Sequence, residues 1–158
     1  MSWLKEPHSP NLPLKGETHL RKPVFFSLAI LAAGVGGSRA HAQVAVVANP
    51  SIKAAQINKG DLRDIFTGAS SSLAGTHATP VLLRSGPSTS AFLSAYVGKS
   101  DAAFLSTWRS LVFSGQASMP RSLDSDAAVV GFVSSHPGAV GYIAEGSPHE
   151  GVKVLSVK

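Results

Sequence analysis

Thr79 to Arg84, T-P-V-L-L-R, is the stretch that most limits how this chain can fold. It is short and nearly continuously apolar, so it reads as a strand buried on both faces. Such a strand needs cover on each side, which in a chain of mixed strand and helix patterns means an α/β arrangement. A tight turn follows at Ser85-Gly86-Pro87, and then Ser88, Thr89 and Ser90 precede Ala91, Phe92, Ala95 and Tyr96 at helical spacing. Strand, hydroxyl-rich turn and helix start together aim several N–H groups and hydroxyls at one spot. The positive end of the helix dipole and the Arg84 guanidinium would add to its attraction for an anion. The candidate anion-binding residues are therefore Arg84, Ser85, Gly86, Ser88, Thr89 and Ser90. The competing reading is that Ser88 only caps its helix and Arg84 is a solvated charge.

The remaining chain alternates in the same way. Gln43–Ala48 is a β-branched run stopped by Asn49-Pro50, and Asn58 with Asp61 opens a short amphipathic helix through Leu62, Ile65 and Phe66 that ends at Gly68. Residues 69–79 are rich in Ser, Gly and Thr and read as a loop. The helix after the central turn is expected over 89–97, with Gly98 closing it. Ser100 then caps a second helix whose apolar side is Phe104, Leu105, Trp108, Leu111 and Val112, with Arg109 outside. Residues 115–121 read as a loop, and a further helix runs from about 124 to 135. His136-Pro137-Gly138 ends it, and strands are expected at 139–144 and 152–157. The expected fold is one α/β unit, a mixed sheet flanked by helices.

The first forty-two residues differ from the rest. Arg21-Lys22 precedes an uncharged run, Val24–Gly37, and then an A-x-A site at Ala40-His41-Ala42. Basic, apolar and small-residue segments in that order make a secretory signal peptide, with cleavage expected after Ala42 and an exported, periplasmic product. The preamble before Arg21 is long and carries Pro7, Pro10 and Pro13, so an uncleaved anchor is the alternative. The apolar run is short for a bilayer span, and no stable membrane span is expected in residues 43–158.

With the leader removed, the +5 formal charge of the whole chain falls to a small excess of nine Lys/Arg over seven Asp/Glu, with no basic cluster. Nucleic-acid binding requires such a patch, and it is excluded. There is no cysteine, which rules out disulfides, thiol chemistry and cysteine-ligated metals. His77, His136 and His149 lack metal-ligand spacing, so no metal or other cofactor is expected. No G-x-S-x-G elbow surrounds the turn serines, and no carboxylate pair is set up for acid–base work. The expectation is binding without catalysis: no catalytic residue is assigned, and a serine hydrolase ranks last because it needs a histidine base beside Ser85 or Ser88.

Six segments carry a family resemblance when taken in order: V-V-A-N-P-S at 46–51, D-L-R-D-I-F-T-G at 61–68, S-T-S-A-F at 88–92, Y-V-G-K-S at 96–100, W-R-S-L-V-F-S-G at 108–115 and H-P-G-A-V-G-Y-I at 136–143. The sequence resembles the periplasmic phosphate-binding proteins of ABC importers (PstS-like), most closely their short, single-lobe members. The resemblance implies one lobe of a type 2 periplasmic binding protein and, as ligand, phosphate or another small oxyanion, in connection with phosphate import. Arg84 matches the arginine of the family's R-x-x-G-S-G-T turn, and Ser88 the threonine, with two residues fewer between them. Pro87 stands where the pattern has glycine and removes one N–H. A single lobe leaves the cleft open, so either a second copy or an envelope protein closes it, or the surface binds something else. The alternative is an interaction module of the same fold that binds no ligand by itself.

Overall fold

The computed structural model describes residues 43–158. The leader, its cleavage after Ala42 and the alternative anchor all lie outside the described residues. Strand β1 (Val44–Ala48) enters the sheet first, and β2 (Gln56–Ile57) lies at one edge. Helix α1 (Lys59–Phe66) and the small hairpin β3 (Ser72–Leu73) and β4 (Thr76–His77) lead to β5 (Thr79–Leu83). Helix α2 (Pro87–Phe92) runs on through a π-helical turn, Leu93–Val97, to Gly98, whose φ of 71° closes it. Then come α3 (Asp101–Phe113), β6 (Arg121–Leu123), α4 (Asp126–Ser135), β7 (Ala139–Ala144) and β8 (Lys153–Val157).

The main sheet has six strands in the order β2-β8-β1-β7-β5-β6. β1 is antiparallel to both β7 and β8, β2 is parallel to β8, and β5 is parallel to both β7 and β6. The two-residue side-chain period of a strand divides the apolar residues between the faces. Val46, Ala48, Leu82, Val140 and Tyr142 face α1, α2 and α3, which contribute Leu62, Phe66, Phe92, Phe104 and Trp108. Val47, Val81 and Ile143 face α4, which contributes Val129 and Val133. The central strands are thus covered on both sides, as the apolar run at 79–84 requires, and the protein is a mixed α/β sheet flanked by helices.

On the first face an aromatic cluster ties the helices to β7. The Phe92 and Tyr142 rings stack with centroids 4.1 Å apart, and Phe66 meets Phe92 edge-on at 4.7 Å. Trp108 is buried, and its indole N–H donates to the Phe66 carbonyl at 2.9 Å, which pins α3 to the end of α1. On the second face, a Cβ added to Gly141 would lie 2.8 Å from Val129 Cγ1, so only glycine lets α4 approach β7 this closely. Gly138 has φ +80°, and a Cβ there would overlap the His77 carbonyl oxygen. These two contacts explain the spacing of glycines in P-G-A-V-G-Y-I.

Several local expectations change. The 69–79 stretch contains the β3–β4 hairpin, and both β2 and β6 are strands that the sequence pattern does not announce. Strands of two or three residues carry no legible period; pairing with β8 and β5 creates them. The helix expected over 89–97 starts two residues earlier, with Gly86 at its N-cap and Pro87 in its first turn. Proline suits that position because it has no N–H to leave unpaired. Ser88 is therefore inside the helix and does not cap it. The Ser100 cap is as expected, accepting from the Ala103 N–H at 3.3 Å. Asn58 stands at the N-cap of α1 without a side-chain bond to the helix backbone, and contacts the Asp61 carboxylate instead.

Candidate functional site

Beyond the carboxyl end of β5 lies an open cleft of about 240 Å³. Its floor comes from Leu82 and Leu83 of β5, Ser122 of β6 and Tyr142 of β7, and its wall from Leu93, Phe104 and Leu105. Arg84, Ser85, Thr89 and Asp101 supply the polar groups nearest its mouth. The chain leaves β5 through α2 and α3 on one face to reach β6, then returns through α4 on the other face to reach β7. β5 is thus the strand at which the connections diverge, and the end of such a strand is where open α/β sheets bind ligands.

Of the six residues singled out in the sequence, Arg84, Ser85 and Thr89 line this cleft. Arg84 is exposed, and its Nε lies 2.9 Å from Asp124 Oδ1 in an equally exposed ion pair. Ser85 is exposed at the rim. Thr89 is buried and turned inward: its hydroxyl donates toward the Leu83 and Arg84 carbonyls at 3.2 and 3.3 Å, and accepts from the Tyr142 hydroxyl at 3.1 Å. The Tyr142 oxygen in turn accepts from the Leu83 N–H at 3.3 Å. Burial pushes the Tyr142 phenol above its ordinary value of 10.0, against the opposing pull of its bonds to Thr89 and Leu83, and the Asp101 charge adds to the rise. It stays a neutral hydrogen-bonding group under physiological conditions.

Gly86, Ser88 and Ser90 lie outside the cleft lining. Ser90 is committed elsewhere, because its N–H bonds the Gly86 carbonyl at 3.0 Å and its hydroxyl faces the Asp101 carboxylate at 3.4 Å. Of the N–H groups expected to converge at the helix start, that of Ser90 is therefore spent within the helix. The N–H groups of Ser88 and Thr89 have no acceptor among the described residues. Sequence reasoning missed Asp101, Asp124 and Tyr142. Asp101 and Asp124 look like ordinary helix-start acids, and Tyr142 like an ordinary strand residue; only the folded chain brings them to the end of β5.

The histidines stand apart from these serines. His136 Nδ1 is 2.9 Å from the Phe132 carbonyl oxygen and stacks on that ring, His149 Nδ1 is 3.0 Å from the Ser147 carbonyl oxygen, and His77 is in β4. Among the described residues no cluster of three metal-ligating side chains occurs, and no helix is long and apolar enough to cross a membrane.

No protein-family model matches the sequence, and no curated protein matches it. Solved structures do. An ABC-type phosphate transport receptor from Vibrio cholerae superposes with a TM-score of 0.57 at 19% identity, over 72% of this chain and 45% of the receptor. PstS from Borrelia burgdorferi gives 0.55 at 22% identity, over 73% of this chain and 47% of that protein. A phosphate-bound substrate-binding protein from Clostridium perfringens gives 0.56 at 16% identity, over 72% and 44%. This chain spans less than half the length of each. Its α/β fold is that of one lobe of a PstS-type periplasmic binding protein.

Proposed function

We propose that this chain is an exported, periplasmic solute-binding-like protein that holds a tetrahedral oxyanion, phosphate first, in the cleft at the end of β5. The observation that carries the reading is the position of that cleft: Arg84, Ser85 and the first turn of α2 meet at the carboxyl end of the strand where the sheet connections diverge. Its ligand identity draws support from neighbours that are phosphate transport proteins with the same fold.

In this reading Arg84 supplies the positive charge and a forked donor, while the Ser85 hydroxyl and the free N–H group of Thr89 supply neutral donors. Thr89 and Tyr142 act as a brace that holds the end of β5 against α2. Gly86 is extended at the N-cap of α2, where its carbonyl accepts the Ser90 N–H, and Ser90 steadies Asp101. The Asp101 carboxylate repels a fully deprotonated anion but accepts a hydrogen bond from a protonated one, which favours hydrogen phosphate over sulfate. Calorimetric titration of phosphate into phosphate-stripped protein tests the assignment. Micromolar binding that is lost in Arg84→Ala and absent for sulfate is expected. No heat beyond dilution with either anion would overturn it.

A further inference from the structure

The opposite end of β5 carries a second feature, independent of the oxyanion reading. Four large apolar side chains are notably exposed among the described residues, and three of them lie within eight residues of one another in sequence: Val112 at 42%, Phe113 at 97% and Met119 at 46%. Val112 and Phe113 end α3, one helical turn beyond Arg109, so the three share its outer side. Met119 belongs to the loop that follows, and that loop walls an open groove of about 560 Å³ between the end of α1, the start of β5 and α4. Arg121 and Phe132 close the far side of the groove, with the guanidinium 5.3 Å from the ring centroid. An apolar ridge beside an open groove is the usual form of a protein-docking surface.

The charges decide what docks there. From Ala102 to Leu123, and again from Ile65 to Leu83, the sequence has no Asp or Glu. Of the acids that flank these stretches, Asp64 pairs with Arg63, Asp124 pairs with Arg84, and Asp101 lines the cleft at the other end of β5. Arg109 and Arg121 have no carboxylate partner among the described residues. A second copy related by a two-fold axis would set these arginines against their own counterparts, with no acid to offset them. We propose that this face docks an acidic segment of a different protein, with an apolar side chain seated in the groove against Met119 and Trp108 and carboxylates on Arg109 and Arg121.

The experiment is selection of displayed short random peptides on the protein, followed by titration of one selected synthetic peptide. Enriched sequences should combine Asp or Glu with an aromatic or large aliphatic residue. Affinity should drop by at least about tenfold in Phe113→Ser and in Arg121→Glu, and weaken with salt. Both positions are exposed, and unchanged circular dichroism in the variants would show that folding is intact. Phosphate binding should be the same in wild type and both variants, because the oxyanion cleft is at the other end of the strand; its failure alone would leave this surface standing. No enrichment, enrichment of basic peptides, or indifference to both substitutions would overturn the proposal. So would a concentration-dependent dimer abolished by Phe113→Ser, which would make a second copy the occupant.

Discussion

Gly138→Ala and Gly131→Ala are the same chemical change in neighbouring elements, yet they should shift stability in opposite directions. Gly138 has φ +80°, a left-handed conformation that costs a residue with a Cβ about 1–2 kcal/mol. The new methyl would also overlap the His77 carbonyl oxygen, a backbone atom that cannot rotate away. Relieving that overlap strains two bonds, Thr79 N–H to the Gly138 carbonyl and Gly138 N–H to Ser51 Oγ, each 2.9 Å and worth about 1 kcal/mol. The combined loss is about 3–4 kcal/mol, or roughly 10–15 °C in Tm for a protein of this size. Gly131 is exposed inside α4, with nothing near the position of a Cβ, so alanine there should stabilise by about 0.5–1 kcal/mol. Urea melts followed by circular dichroism, with m-values checked for constancy, measure both. The reasoning about the 136–143 segment fails if Gly138→Ala melts close to wild type, or if both variants move the same way.

Other substitutions test the site and the core. Asp124→Asn removes the competitor for Arg84; because an exposed pair is worth at most about 1 kcal/mol, phosphate should bind roughly two- to fivefold more tightly by calorimetry, and unchanged or weaker binding would refute the competition. Tyr142→Phe leaves the Leu83 N–H without its acceptor and Thr89 without a donor, for an expected loss of about 1–3 kcal/mol in chemical denaturation. The Tyr142 pKa is raised on folding, so its protonated form is the one the native state favours. Stability from this group is present below pH 10 and is lost as pH rises from there through the folded value. The phenylalanine variant should therefore show a shallower alkaline decline, and equal pH slopes would count against the buried phenol. Trp108→Phe should cost about 2–3 kcal/mol in the same melts, since it shrinks the core and leaves the buried Phe66 carbonyl unpaired. A loss below about 0.5 kcal/mol would mean that α3 is held by other contacts.

The longer elements were readable because each carries its own signal. The apolar run at 79–84, the Ser100 cap and the Gly98 stop are local features, and β5, α3 and the closure at Gly98 occur where those features put them. The Arg84–Ser90 turn was also legible as a strand-to-helix junction. Its internal geometry was not. Whether Ser88 caps or Gly86 does depends on where Pro87 falls in the first turn, and which way the Thr89 hydroxyl points depends on Tyr142, fifty-three residues away in sequence.

By itself the sequence determined an α/β fold with its central strand covered on both faces, no thiol chemistry, and the loop that carries the candidate anion site. Side-chain periodicity, proline and glycine act within a few residues, so they leave a local trace. Only the tertiary structure decided that β6 pairs with β5, that Arg84 meets Asp124, that Asp101 and Tyr142 join the cleft, and that Phe113 and Met119 remain uncovered. Those outcomes depend on contacts between segments far apart in sequence. Such contacts form only once hydrophobic burial has brought the layers together.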